Sequence, residues 1–178
     1  MAATVEAQAQ LRGLIREVPN FPKPGITFRD ITPLLGSSPE FALAIVGMIT
    51  PWRDALITHV IGIESRGFIF GASIALGLGA GFVPVRKPGK LPRTVLREAY
   101  ALEYGTDALE MHSDAVPPGS RVLIVDDVLA TGGTALAAAR LVQNAAATVA
   151  GYNFLIEIEA LGGRRLFPGA RVESLLTY

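Results

Sequence analysis

Val122-Leu123-Ile124-Val125-Asp126-Asp127-Val128-Leu129-Ala130-Thr131-Gly132-Gly133-Thr134 is the stretch on which the fold turns. Its first four residues are apolar without a break, the mark of a strand buried on both faces in a parallel sheet. The run stops at two adjacent acids, and a loop of small residues then opens an Ala-rich helix expected over Ala135–Ala146. In open α/β sheets, ligands gather at the carboxyl ends of strands, where this loop would sit. A helix N-terminus presents unpaired N–H groups and the positive end of a dipole, and both favour a phosphate. Gly132 and Gly133 allow close backbone approach, while Thr131 and Thr134 add hydroxyl donors.

Asp126 and Asp127 need a separate explanation, because carboxylates repel a phosphate. The vicinal hydroxyls of a ribose, or a bound Mg²⁺, would suit them. Competing phosphate motifs fail. Gly89-Lys90 is followed by Leu91 and lacks the upstream Gly of a P-loop, and no G-x-G-x-x-G follows a strand.

Outward from this loop, short apolar runs at His59–Ile63, Phe82–Val85, Tyr152–Ile158 and Val172–Leu176 read as further strands. Helical stretches are expected at Phe41–Ile49 and Phe68–Leu78, between strands. The alternation predicts one α/β domain over residues 1–178, with a mostly parallel central sheet flanked by helices. Leu11, Leu14, Ile15 and Val18 recur at helical spacing, so the N-terminal segment reads as an amphipathic packing or subunit-contact helix. Pro19–Pro33 and Arg86–Asp114 break the rhythm with Pro, Gly and polar residues, as binding loops and lids do.

Composition narrows the function classes. Half of the 178 residues are hydrophobic, enough for a core, and 16 Lys+Arg balance 16 Asp+Glu. A neutral chain has no global attraction for nucleic acid or an anionic membrane, so any anion must be held by local clusters. With no cysteine, thiolate catalysis, zinc–sulfur sites and disulfides are excluded, and a cytoplasmic setting fits. The uncharged stretch Gly67–Val85 is interrupted by Gly77, Gly79, Gly81 and Pro84, which predicts a buried helix and strand rather than a membrane span. His59 and His112 are the only histidines, and neither a Ser-His-Asp set nor a multi-His metal site is expected from them.

A second anion site would follow the strand His59–Ile63, at Glu64-Ser65-Arg66-Gly67. Alone, an Arg in such a turn reads as a surface ion pair; as a second anion turn after a second strand, it suits a ligand phosphorylated at both ends. Arg86-Lys87-Pro88-Gly89-Lys90-Leu91-Pro92 is a local basic cluster, either a solvated turn or a mobile source of cations for a leaving group. Pro24-Gly25-Ile26-Thr27-Phe28-Arg29-Asp30 offers an aromatic ring that packs in the core or stacks on a base.

These stretches, in this order, resemble the type I phosphoribosyltransferases. Val125-Asp126-Asp127-Val128-Leu129-Ala130-Thr131-Gly132-Gly133-Thr134 resembles the adenine-specific branch more than the hypoxanthine-guanine or orotate branches. The resemblance implies the type I fold with a small hood at residues 19–33 and a flexible catalytic loop at 86–105. It implies transfer from 5-phosphoribosyl-1-pyrophosphate (PRPP) to adenine, giving AMP and pyrophosphate, in a cytoplasmic homodimer. Ala130–Thr134 would cradle the 5-phosphate, Asp126 and Asp127 would bind the ribose hydroxyls, and Ser65, Arg66, Arg86 and Lys90 would hold pyrophosphate. Phe28, the Thr27 backbone, Arg29 and Ile158 would surround the base, with Glu103 as proton donor at N7. Mg²⁺ would arrive with PRPP, with no dedicated protein site. Two other readings stay open on sequence: a 6-oxopurine enzyme, and a non-catalytic sensor of PRPP or purines.

Overall fold

Successive residues of a strand point to opposite faces, and the central strands use both. Val60, Leu123, Val125 and Leu155 lie in one buried cluster with Leu34, Met48, Phe70 and Ile74. Ile61, Ile63, Val122 and Ile124 lie in another, with Leu109, Met111, Leu141 and Val142. Each such side chain contributes roughly 1.5–3 kcal/mol when withdrawn from water.

The computed structural model describes residues 5–101 and 106–178. It begins with α1 (Val5–Arg12), β1 (Arg16–Pro19), β2 (Thr27–Asp30), α2 (Thr32–Gly36) and α3 (Ser38–Ile49). The unit β3 (His59–Ile63), α4 (Gly67–Leu78), β4 (Gly81–Val85) follows, then β5 (Val95–Ala101) and β6 (Thr106–His112). The chain closes with β7 (Arg121–Leu129), α5 (Gly133–Asn144), β8 (Thr148–Glu157) and β9 (Val172–Thr177). A five-stranded sheet in the order β4-β3-β7-β8-β9 has parallel neighbours throughout. Among the described residues no helix is long and apolar enough to cross a membrane.

Sequence order reverses at β3: β4 lies on one side of it and β7 on the other. The carboxyl ends of β3 and β7 therefore flank the switch point at which open sheets bind ligands.

Three local expectations need correction. First, the strand does not stop at the acids. Asp126 and Asp127 lie within β7, which pairs with β8 through Leu129, whereas β3 accompanies it only as far as Val125. The acids thus stand on an extension of β7 whose other edge is open to the switch point. Second, Val18 leaves the N-terminal helix: Leu11 and Ile15 are buried in the core, but Val18 pairs with Phe28 in the β1–β2 hairpin. Third, much of Arg86–Asp114 is an antiparallel β5–β6 hairpin, paired from Val95↔His112 to Ala101↔Thr106. The Ala content of α5 has a packing cause. Ala135, Ala137, Ala138 and Ala139 are at most 3% exposed because α5 lies between the hairpin and the main sheet.

Candidate active site

At the switch point lies an open cleft of about 610 Å³, within the range of small-ligand sites. Phe28, Glu64, Ser65, Arg66, Lys87, Tyr100, Asp126, Asp127, Val128 and Thr134 line it. Residues from β2, the β3–α4 turn, the hairpin and β7–α5 thus converge on one space. The two anion turns touch across it: Arg66 Nε stands 2.7 Å from Asp127 Oδ2. Gly67 makes this approach possible, since a Cβ there would fall 2.9 Å from both Asp126 Oδ1 and the Val125 carbonyl.

Burial dominates the electrostatics of the acids. It raises the Asp126 pKa well above the ordinary carboxylate value, and the neighbouring charge of Asp127 raises it further. Burial raises Asp127 too, against the opposing pull of Arg66. Asp126 Oδ1 accepts the Asp127 backbone N–H at 2.9 Å. Asp127 Oδ2 is buried, and the cation beside it is the Arg66 guanidinium, Nε at 2.7 Å.

Beside the acids, the turn into α5 encloses a hollow of about 70 Å³ lined by Ala130, Thr131, Gly132 and Thr134 among others. Gly132 caps α5 at φ +83°, a left-handed conformation that glycine adopts without strain. The loop carries no charged side chain, so an anion there would be met by backbone N–H groups and hydroxyls. Gly163, which sequence reasoning did not single out, lies against it: a Cβ at Gly163 would stand 2.2 Å from the Ala130 carbonyl oxygen.

The opposite wall is built from paired charges. Arg86 grips Glu64 in a fork, Nε to Oε2 and Nη2 to Oε1, both 3.1 Å. Glu64 also accepts the Lys87 backbone N–H at 3.0 Å, and the Arg86 hydrogen bonds are the main reason its pKa is lowered. Lys87 Nζ donates to Asp107 Oδ2 at 2.7 Å, which chiefly raises the Lys87 pKa and lowers that of Asp107. The Tyr100 hydroxyl donates to the same Asp107 oxygen at 3.3 Å and also reaches the Thr134 side chain. Buried Glu110 accepts the Gly89 N–H at 2.9 Å, tying the basic turn to the hairpin. Lys87, Tyr100, Asp107 and Glu110 were all missed in the sequence; only Lys87 carried a signal, as a member of the basic cluster.

The expected site residues divide. Ser65, Arg66, Phe28, Asp126, Asp127 and Thr134 line the cleft, with Ala130, Thr131 and Gly132 in the adjoining hollow and Gly133 opening α5. Arg86 borders the cleft through Glu64, and Lys90 is exposed beside it, giving its carbonyl to Arg86 Nη1 at 3.1 Å. Arg66 lies over the Phe28 ring at 5.2 Å, and Phe21 meets that ring edge-on. Thr27 is exposed next to Phe28. The Arg29 side chain leaves the cleft, pairing with Glu17 and stacking on Tyr178 at 4.1 Å. Ile158 lies just beyond β8, packed against the core, with its N–H bonded to the Leu129 carbonyl. Glu103 lies outside the described residues.

This geometry has counterparts among known proteins. The model of the phosphoribosyl transferase domain matches residues 43–163. An adenine phosphoribosyltransferase of Anaeromyxobacter dehalogenans (strain 2CP-C) is 57% identical over 94% of this chain and 98% of its own length. The structure of adenine phosphoribosyltransferase from Rhodothermus marinus superposes with a TM-score of 0.94 at 53% identity, over 98% of this chain and 100% of that one. The Saccharomyces cerevisiae enzyme, complexed with an imino-altritol bisphosphate and adenine, gives 0.91 at 41% identity, over 97% and 100%. The chain belongs to the phosphoribosyltransferase family, in its adenine phosphoribosyltransferase branch.

Proposed function

We propose that this chain joins adenine N9 to C1 of PRPP as the C1–O bond to pyrophosphate breaks, with the residues of the switch-point cleft in the following roles. The reaction releases AMP, pyrophosphate and the ring proton of adenine. Ala130–Thr134 cradle the 5-phosphate with backbone N–H groups at the start of α5. Asp126 and Asp127, which line the cleft, receive the ribose hydroxyls. As the C1–O bond lengthens, the sugar gains oxocarbenium character near these carboxylates while negative charge grows on the leaving group. Ser65, Arg66 and Lys90 meet that charge, joined by Arg86 and Lys87 once they exchange Glu64 and Asp107 for pyrophosphate. Phe28 stacks on the base, the Thr27 backbone borders it, and Ile158 supplies an apolar wall. Glu103 stands at N7, taking the ring proton from the N7–H form of adenine as N9 attacks and acting as the proton donor at N7 in the reverse direction.

Mg²⁺ would enter with PRPP and, when bound, would neutralise charge on the pyrophosphate. Asp126 and Asp127, hard oxygen ligands at the cleft, are the residues that would face the ion. The cysteine-free composition accords with the cytoplasm. Apolar side chains left exposed on α3 and α4, Val46 and Leu76 among them, support a homodimer.

The observation that carries the reading is the meeting of the two anion turns, Arg66 against Asp127 at 2.7 Å, over a cleft that a nucleotide would fill. Pyrophosphate release is to be followed with PRPP and each purine base in turn. Release with adenine and little with hypoxanthine is expected. Release with hypoxanthine alone would move the specificity to 6-oxopurines, and release with no base would make the chain a sensor.

A further inference from the structure

The 5-phosphate cradle has no charged side chain of its own, so its grip depends on how its backbone N–H groups are aimed. What aims them from behind is another backbone. A Cβ at Gly163 would stand 2.2 Å from the Ala130 carbonyl oxygen and 3.0 Å from the Gly132 nitrogen. A Cβ at Gly132 would in turn stand 2.8 Å from the Gly163 carbonyl oxygen. The two segments are in direct contact, and movement of either moves the other.

Gly163 opens a short 3-10 turn, Gly163–Leu166, which has little core of its own. It is fastened by its neighbour. Arg164 donates from Nε to Glu157 Oε1 at 2.9 Å, from Nη2 to Glu157 Oε2 at 2.5 Å, and from Nη1 to the Val172 carbonyl at 2.7 Å. Glu157, almost fully buried at the end of β8, also accepts the Ser174 hydroxyl from β9 at 2.7 Å. One guanidinium therefore binds the turn to two strands of the main sheet. Neither Glu157 nor Arg164 lines the cleft or the hollow.

We propose that Glu157 and Arg164 are positioning residues for the 5-phosphate, clamping Gly163 against Ala130–Gly132 so that the cradle is held ready before the ligand arrives. The proposal rests on the reading of Ala130–Thr134 as that cradle. Its consequence is selective, because PRPP and AMP carry a 5-phosphate whereas adenine and pyrophosphate do not.

Arg164→Lys keeps the charge but loses the fork. With this variant, KM for PRPP in the forward direction and for AMP in the reverse direction should rise roughly tenfold, as expected for a cradle misplaced by less than an ångström. KM for adenine and for pyrophosphate should stay within about twofold. Ser174→Ala, which removes one hydrogen bond from Glu157, should give the same pattern at smaller size and stands in if Arg164→Lys folds poorly. Equal shifts in all four constants, or none beside a lowered Tm, would show a merely structural pair and overturn the proposal. Calorimetry of AMP alone separates this from the reaction: tenfold weaker AMP binding by Arg164→Lys in a wild type that forms no AMP would sink the activity and keep the clamp.

Discussion

In the proposed reading, the two ends of the cleft would handle anions by opposite means. At the β7–α5 turn the binding groups are backbone, fixed by a parallel sheet on one side and by Gly163 on the other. At the β3–α4 turn and the basic cluster, the binding groups are side-chain cations, each already engaged: Arg66 with Asp127, Arg86 with Glu64, Lys87 with Asp107. On that reading the first end would take its phosphate as it stands. The second would trade carboxylates for pyrophosphate, so every carboxylate there would compete with the ligand. A group that leaves is suited to an end whose contacts can be handed back, and a group that stays is suited to a fixed cradle.

The largest effect is expected at the cationic end. Arg66→Ala removes charge aimed at the departing pyrophosphate and should lower kcat by about 10²–10³, with KM for adenine nearly unchanged. Equal damage to adenine binding in steady-state kinetics would count against its assignment.

At the other end, Gly132→Ala attacks the backbone itself. It places a side chain at φ +83° and a Cβ 2.8 Å from the Gly163 carbonyl oxygen. The left-handed conformation alone costs about 1–2 kcal/mol, or roughly 2–8 °C in Tm at this size, before the collision is counted. KM for PRPP should rise about tenfold or more, since the N–H groups lose their aim. A variant with native Tm and native KM would show that the cradle adapts and is not fixed.

How much of this contrast the sequence carries follows from its physics. The cradle is contiguous, strand to loop to helix within thirteen residues, so its chemistry reads from one window. Its support does not: Gly163 and Arg164 lie some thirty residues on and reach the loop only through β8 and β9 pairing. The cationic end is harder still. In β5 and β6 the apolar residues share the strands with Arg97, Glu98, Asp107 and Glu110, so no clean alternation marks them. Glu110 is buried because Gly89 and the Arg86 backbone meet it there, a contact that exists only after the hairpin has formed. The extension of β7 through two acids was hidden for a related reason: charged residues end a strand in most sequences, and only the open edge beyond β3 lets them stay in one.

Glu64→Gln sharpens the idea of competition. It keeps the shape but weakens the hold on Arg86 and Lys87, so product pyrophosphate should inhibit several-fold more tightly, most visibly at low ionic strength. Weaker inhibition would mean that Glu64 orients these cations for the ligand instead of competing with it.

The smallest effect concerns the acids between the two ends. Because burial and Asp127 raise the Asp126 pKa, its contribution to stability is fully present below the unfolded carboxylate pKa and is lost as pH rises through the folded value. Asp126→Asn removes that loss, so the ligand-free variant should melt a few degrees higher than wild type near pH 8, with the gap closing towards pH 4. A gap that widens on acidification would reverse the sign of the argument.

The most direct measurement is a crystal structure with a non-reactive PRPP analogue and Mg²⁺ bound. The account predicts a 5-phosphate on residues 130–134 whose backbone has moved by less than about 0.5 Å, while Arg86 has left Glu64 for the pyrophosphate end. An intact Arg86–Glu64 fork beside a rearranged 130–134 loop would contradict it.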